Sequence, residues 1–248
     1  NGLLIVINED DGTMLNVVDI INKQLPAEMK RINHFMEYQG ILYVSCDFGI
    51  VQFNLATLLF GDTYFIGDNG SEIIVSQTTI FNGYIYAATN DGIRTALITN
   101  KNLNDYKQWQ KVAQGNWSSI ETFGTDLMAI NSAGTIYKYN SNIFVSFGSL
   151  SQPSLDMRAT DSYLIVTTLN SVSIYNKQLT LIRQISSSQL PGTAISFSCA
   201  TSIGEVIFIG TKQNGLFTTT ILGTTFENIT PMGPLRNNIF SLQVTPNV

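Results

Sequence analysis

The feature that most constrains this chain is a short turn that recurs about every 42 residues, a spacing typical of repeat folds. Each turn has glycine or serine as its second residue, and an aliphatic or aromatic run follows it closely. The copies lie at positions 1–2, 48–49, 91–92, 133–134, 170–171 and 214–215. A period of about 40–50 residues is the length of one propeller blade, a four-stranded sheet. The repeat therefore predicts a β-propeller.

The runs around these turns predict four strands in each repeat. They are rich in β-branched and aromatic residues, and Gly, Asn, Asp or Ser separates them at short intervals, which favours antiparallel strands. We expect an all-β fold of four-stranded antiparallel blades in one propeller domain over residues 1–248. Five whole blades are expected at 32–73, 74–116, 117–153, 154–194 and 195–235, with partial blades at 1–31 and 236–248.

The partial blades predict that the chain is a segment of a longer protein. An open propeller would expose two apolar blade faces, so we expect a seven-bladed ring completed by further chain. A six-bladed ring closed by the terminal strands is the alternative. The opening strands are expected to run as far as residue 20, and the closing one to occupy 238–244.

Only short helical pieces interrupt the strands, near residues 26–31 and 103–106. The acidic run at 8–12 could hold calcium through its side-chain oxygens, but an Asp-Gly hairpin turn explains it better, and 68–71 has the same interpretation.

The aromatic residues are expected to serve mainly in packing. Tyr43 and Tyr86 share one position of the repeat, and Tyr137 and Tyr175 share another, which predicts packing between blades. Trp109 and Trp117 are expected to pack as well, although stacking against a sugar is the alternative for these two. Two buried free thiols are expected at the only cysteines, Cys46 and Cys199.

The composition excludes several classes of function. Only 12% of residues are charged and the net charge is -5, with no basic run, so nucleic acid is not an expected partner. No apolar stretch is long enough for a transmembrane helix. His34 is the single histidine, which argues against metal sites, histidine-based catalysis and a propeller lyase. We expect no enzyme activity, no metal and no cofactor.

Any ligand is expected at the face around the central channel, which the turns between second and third strands and the links between blades would form. Arg158 and Lys212 are of most interest because an anionic sugar or a lipid phosphate needs cations in an acidic protein. The candidates in the turns are Asp47, Asn90, Asp91, Lys212 and Asn214, and those along the channel wall are Gln77, Glu121 and Arg158.

Several runs resemble the N-terminal propeller of the PorZ family of Bacteroidota. They are residues 17–20, 32–35, 60–67, 85–93 and 103–109. The resemblance implies an exported protein at the outer-membrane surface that acts in type IX secretion. It also implies the sortase PorU, PorV and PorQ as protein partners, and presentation of anionic lipopolysaccharide to the sortase.

Residues 207–216 resemble the more general repeat of two-component-regulator propellers. The alternative function is therefore the extracellular sensor of a hybrid two-component regulator. Phe208 stands where those repeats usually have tryptophan. A sorting domain in the full-length sequence would favour secretion, and a membrane span with a kinase domain would favour sensing.

Overall fold

The computed structural model describes residues 2–230. The chain divides into two compact units, the first ending at Asn116 and the second beginning at Trp117. Within these residues, no helix is long and apolar enough to cross a membrane. The first unit holds a two-stranded hairpin and two four-stranded sheets, and the second holds three four-stranded sheets. The expected closing strand at 238–244 lies outside the described residues.

The first unit begins with the hairpin of β1 and β2, followed by a single helical turn and two blades. Its elements are β1 Leu4–Ile7, β2 Met14–Val17, α1 Asp19–Asn22, β3 Ile32–Tyr38, β4 Ile41–Cys46, β5 Gly49–Asn54, β6 Leu59–Tyr64, β7 Val75–Phe81, β8 Tyr84–Thr89, β9 Gly92–Leu97 and β10 Gln110–Gln114. Short 3₁₀ turns occupy Ala27–Lys30, Asp68–Gly70 and Tyr106–Gln108. The first blade is β3 to β6 and the second is β7 to β10.

The described residues of the second unit form three consecutive blades. Its strands are β11 Trp117–Phe123, β12 Asp126–Asn131, β13 Thr135–Asn140, β14 Ile143–Ser149, β15 Ser154–Ala159, β16 Leu164–Thr168, β17 Ser171–Tyr175, β18 Leu181–Ser186, β19 Phe197–Ile203, β20 Val206–Thr211, β21 Leu216–Thr220 and β22 Glu227–Asn228. A 3₁₀ turn occupies Ser187–Gln189. The third blade is β11 to β14, the fourth β15 to β18 and the fifth β19 to β22.

In each blade the four strands follow chain order and pair antiparallel with their neighbours. Each of these sheets lies within one of the five intervals predicted from the repeat. The all-β fold built from four-stranded propeller blades is therefore confirmed.

Alternation along the strands explains how the blades stack. In β4, Val44 lies in an apolar cluster with Leu4 and Val17 of the opening hairpin, while Tyr43 lies in a cluster that includes Ile85 of the second blade. In the second unit, Tyr175 packs against the apolar cluster that contains Met157, between the third and fourth blades. Packing between blades is therefore confirmed for Tyr43 and Tyr175. Large buried side chains of this kind stabilise a fold by about 1.5–3 kcal/mol each.

Steric constraints explain why glycine occupies these turns of the repeat. Gly49 and Gly92 each begin the third strand of a blade, with φ angles of +142° and +151°. A Cβ atom would lie 2.2 Å from the Tyr64 carbonyl oxygen at Gly49, and 2.4 Å from the Ala113 carbonyl oxygen at Gly92. Because the outer strand passes so close, only glycine fits without displacing backbone.

The local structure differs from the sequence prediction at three places. The opening strand ends at Val17, and Asp19–Asn22 forms a helical turn instead. The second predicted helical piece lies slightly later, at Tyr106–Gln108, because the Asp105 side chain accepts a hydrogen bond from the Lys107 backbone. The run at 68–71 is no hairpin turn but a 3₁₀ turn in the link between β6 and β7. The hairpin turn at 8–12 is confirmed.

Candidate functional site

Each blade has two ends, and the predicted site residues are divided between them. We call the end with the turns joining first to second and third to fourth strands the AB end. The BC end carries the turns joining second to third strands and the links between blades. In the second unit, Glu121 and Arg158 lie near the ends of β11 and β15, at the AB end. Lys212 and Asn214 lie between β20 and β21, at the BC end. The structure thus does not bring Arg158 and Lys212 together.

The AB end of the second unit contains a cavity of about 790 Å³. The last residues of the three innermost strands line it, and its volume is within the range of small-ligand sites. Its lining is rich in hydroxyls, contributed by Thr122, Thr125, Thr160, Ser162, Thr201 and Ser202. Its charged residues have both signs, so the cavity is mixed in charge and is not a cationic pocket.

Arg158 is a poor ligand for an anion because it is already neutralised. Its side chain is 8% exposed, and its Nε lies 3.1 Å from Asp156 Oδ1. Burial raises the pKa of the Asp156 carboxyl, although Arg158 and the Ala200 backbone oppose that shift. Asp156 Oδ2 is buried without a hydrogen-bond partner among the described residues. The pair is therefore costly to bury, and each ion depends on the other.

The BC end of the second unit has a different chemistry. A cleft of about 610 Å³ at the fourth blade, beside the link that precedes β15, is lined among the described residues by uncharged hydroxyl and carboxamide side chains, including Gln152, Asn170 and Gln184. Lys212 is exposed at the same end, and its backbone N–H donates to the Ser196 carbonyl at 2.9 Å. Hydroxyls and carboxamides both donate and accept hydrogen bonds, which is what a sugar requires.

In the first unit, Asp91 belongs to a cluster of four charges at the BC end of the second blade. Arg94 donates to Asp68 at 2.8 Å and to Asp91 at 3.1 Å. Lys111 donates to Asp91 at 2.5 Å. Hydrogen bonding from Arg94 lowers the pKa of Asp68, and that from Lys111 lowers the pKa of Asp91. The cluster attaches the link before β7 to strands β9 and β10.

Sequence reasoning found only one of these four charged residues. The sequence signal that could have revealed the cluster is Arg94, a charged residue within the apolar run of β9. Its side chain is buried, with 3% exposure. A buried arginine needs carboxylate partners, which points to acids in neighbouring turns. Arg94 and Lys111 are both paired with carboxylates. The main role of Asp91 is therefore to hold this blade together.

The remaining candidates of the first unit are Asp47, Gln77 and Asn90. Asp47 accepts a hydrogen bond from Asn33 at 2.8 Å in the turn before β5. Gln77 is buried in β7 with 3% exposure, whereas Asn90 is exposed in the turn before β9. His34 is buried in β3.

The tryptophans and cysteines are buried. Trp109 and Trp117 are both 5% exposed, so the interpretation of either as a sugar-stacking platform is wrong. The Trp109 indole N–H donates to the Leu103 carbonyl at 2.8 Å, and the Trp117 ring packs on Tyr137 with centroids 4.9 Å apart. Cys46 and Cys199 are buried free thiols, as predicted. Among the described residues, no group of His, Cys, Asp and Glu side chains could hold a metal ion.

Comparison with solved structures shows the fold. PorZ of Porphyromonas gingivalis, described as an essential bacterial surface component of the type IX secretion system, matches with a TM-score of 0.59 and 14% identity over 88% of this chain. This chain covers 42% of that PorZ chain. A chain of the mitotic checkpoint complex matches with a TM-score of 0.66 and 8% identity, covering 95% of this chain and 73% of that one.

The extracellular domain of the putative hybrid two component system BT4673 from B. thetaiotaomicron also matches, with a TM-score of 0.60 and 16% identity. The alignment covers 82% of this chain and 28% of that one. A search of curated proteins gave no significant match. The family model of the TSS9, PorZ, N-terminal beta-propeller domain matches residues 4–110. The resemblance to the PorZ family that the sequence predicted is therefore confirmed.

Proposed function

We propose that this chain is a non-enzymatic propeller module of a PorZ-like surface protein of the type IX secretion system. The observation that carries the proposal is the match of residues 4–110 to the PorZ N-terminal propeller. The module mediates protein contacts and presents anionic lipopolysaccharide to the sortase. Its protein partners are the sortase PorU together with PorV and PorQ, and its location is the outer surface of the outer membrane.

The BC end of the second unit is the best candidate for the lipopolysaccharide contact. Its uncharged cleft suits sugar hydroxyls, and Lys212 supplies a cation at the same end. Asn214 lies at the same end, where its Nδ2 is 3.8 Å from the position that a Cβ of Gly192 would occupy. The AB end is less suitable for an anion since Arg158 is paired with Asp156.

The first test is a pull-down of the full-length protein from outer-membrane extracts, with proteins and lipopolysaccharide both measured. Recovery of PorU, PorV or PorQ together with lipopolysaccharide supports the proposal. Recovery of none of them, with a small ligand bound instead, would favour the sensor function, for which the match to the BT4673 extracellular domain is the supporting observation.

Three matched variants then locate the glycolipid contact. Lys212→Gln and Asn170→Ala change the BC end, while Lys177→Gln removes a cation from the cavity at the AB end. We expect weaker lipopolysaccharide binding for the first two and unchanged binding for Lys177→Gln. Lys101→Gln, an exposed position of the first unit, controls for net charge. Loss of binding only in Lys177→Gln would move the site to the cavity.

A further inference from the structure

An asparagine followed directly by glycine is a reactive pair, because the glycine has no side chain to keep its nitrogen away from the asparagine amide. Among the described residues the chain has three such pairs, at 69–70, 82–83 and 214–215. All three have the same local chemistry. The fold, however, surrounds the three glycine nitrogens differently.

The pair Asn82–Gly83 is the open one. These two residues form the exposed turn between β7 and β8, with φ angles of +49° and +79°. A Cβ at Gly83 would have no atom within 4 Å. The Gly83 carbonyl accepts a hydrogen bond from the Ile98 N–H at 3.0 Å, but the Gly83 N–H has no partner among the described residues. The nitrogen of this pair is therefore available for reaction.

The other two pairs are protected by their surroundings. The Gly70 N–H donates to the Gly67 carbonyl at 3.0 Å, and the Tyr106 ring lies 3.3 Å from where a Cβ of Gly70 would stand. Gly215 is buried, and a Cβ there would overlap the Thr230 side chain. At each of them, a hydrogen bond must break or the packing must open before a new ring can close on the glycine nitrogen.

The equivalent turn of the first blade has the same shape with a protected nitrogen. Its residues Gln39 and Gly40 have φ angles of +53° and +77°. There the Gly40 N–H donates to Glu37 Oε1 at 2.7 Å. In the second blade Ile80 occupies the position of Glu37, and a hydrocarbon side chain cannot accept this hydrogen bond. One difference in sequence thus leaves the second turn unprotected.

We propose that Asn82 is a site of spontaneous deamidation, with water as the second reactant. The Gly83 nitrogen loses its proton to solvent and bonds to Asn82 Cγ, and the side-chain nitrogen takes up a proton and leaves as ammonia. Water then adds to either carbonyl of the succinimide ring and breaks its bond to nitrogen, which gives aspartate or isoaspartate. Either product adds a negative charge at the AB end of the second blade, and isoaspartate also lengthens this short loop by one backbone atom. This inference does not depend on the proposed function.

The test is peptide mapping by mass spectrometry after incubation of the folded protein at mildly alkaline pH. Asn82 should convert about tenfold faster than Asn69, because at Gly70 a hydrogen bond of ordinary net strength must first break. Asn214 should also convert more slowly than Asn82. In concentrated urea the three asparagines should convert at similar rates, since each is followed by glycine and the fold is absent.

A matched variant tests the role of the free N–H. Gln39→Asn places an asparagine–glycine pair in the first-blade turn, where it should convert about tenfold more slowly than Asn82, because Glu37 holds the N–H through a charge-assisted hydrogen bond. Adding Glu37→Ala should bring the two rates together. Circular dichroism melting checks that these variants fold.

Three results would overturn the proposal. The first is no conversion of Asn82 in the folded protein while the urea-unfolded chain converts. The second is conversion of Asn69 or Asn214 in the folded protein as fast as that of Asn82. The third is a Gln39→Asn site that converts as fast as Asn82 while Glu37 is present.

Discussion

Replacing Arg94 by methionine should change the stability far less than replacing Arg158, although both arginines are buried and both bind aspartate. The two sites differ in the exposure of the carboxylates left behind. Arg94 contacts Asp68 and Asp91, whose side chains are 70% and 49% exposed. Arg158 contacts Asp156, whose side chain is 12% exposed.

The expected magnitudes follow from this difference. After Arg94→Met, water solvates both carboxylates, and the buried Arg94 Nε, which has no partner among the described residues, is removed. The change in unfolding free energy should be within about 1 kcal/mol. After Arg158→Met, Asp156 stays buried without its counter-ion, which should cost about 3–5 kcal/mol. The melting temperature should fall by roughly 6–20 °C.

Urea denaturation and thermal melting at neutral pH measure both variants. The Arg158→Met deficit should shrink as the pH falls towards 4. Burial raises the pKa of Asp156 above its ordinary 3.8 and Arg158 opposes that rise, so without Arg158 the folded variant binds the proton more tightly than the folded wild type does. The double variant Asp156→Leu/Arg158→Met should recover most of the loss, because no unpaired ion remains. Equal destabilisation by the two single variants would refute the reasoning.

Three further predictions concern other parts of the chain. Gly92→Ala should lower the unfolding free energy by at least about 3 kcal/mol because the new Cβ would clash with backbone. Gly83→Ala, which has open space around it, should lower it by about 1 kcal/mol. Similar melting temperatures for the two variants would contradict the clash. Asp68→Asn/Asp91→Asn should flatten the stability loss below about pH 4. The lowered pKa values of the two carboxyls make them fully stabilising above the ordinary 3.8, and this stabilisation is lost as the pH falls below it, which acid titration of unfolding would show. Burial raises the pKa of Cys46 to about 12, so a thiol reagent at pH 8 should modify it only on unfolding, with Cys46→Ser as the control.

The fold was predictable from sequence because its signals are local. A strand alternates its side chains between two faces, and a turn needs glycine where the outer strand approaches, as at Gly49 and Gly92. Both signals lie within one repeat of the chain. Repetition then strengthens them, so the five sheets fall in the predicted intervals.

The candidate site was less predictable because it depends on residues distant in the chain. Strand direction places Arg158 at the AB end and Lys212 at the BC end, a separation that residue type alone does not reveal. One partner of Arg94 is Asp68, which lies in the link before β7, in a separate element of the chain. Likewise, Trp109 could stack on a sugar or pack in the core, and only burial by its neighbours decides between them.

The sequence by itself thus determined the all-β architecture of four-stranded blades and the resemblance to PorZ, since both are carried by short local patterns. The tertiary structure decided which charges are neutralised, which polar groups share a cleft and which glycine nitrogen is left without a hydrogen bond. Those properties depend on how residues pack around each group, and the free energy of an ion or a polar group is set by the groups that surround it.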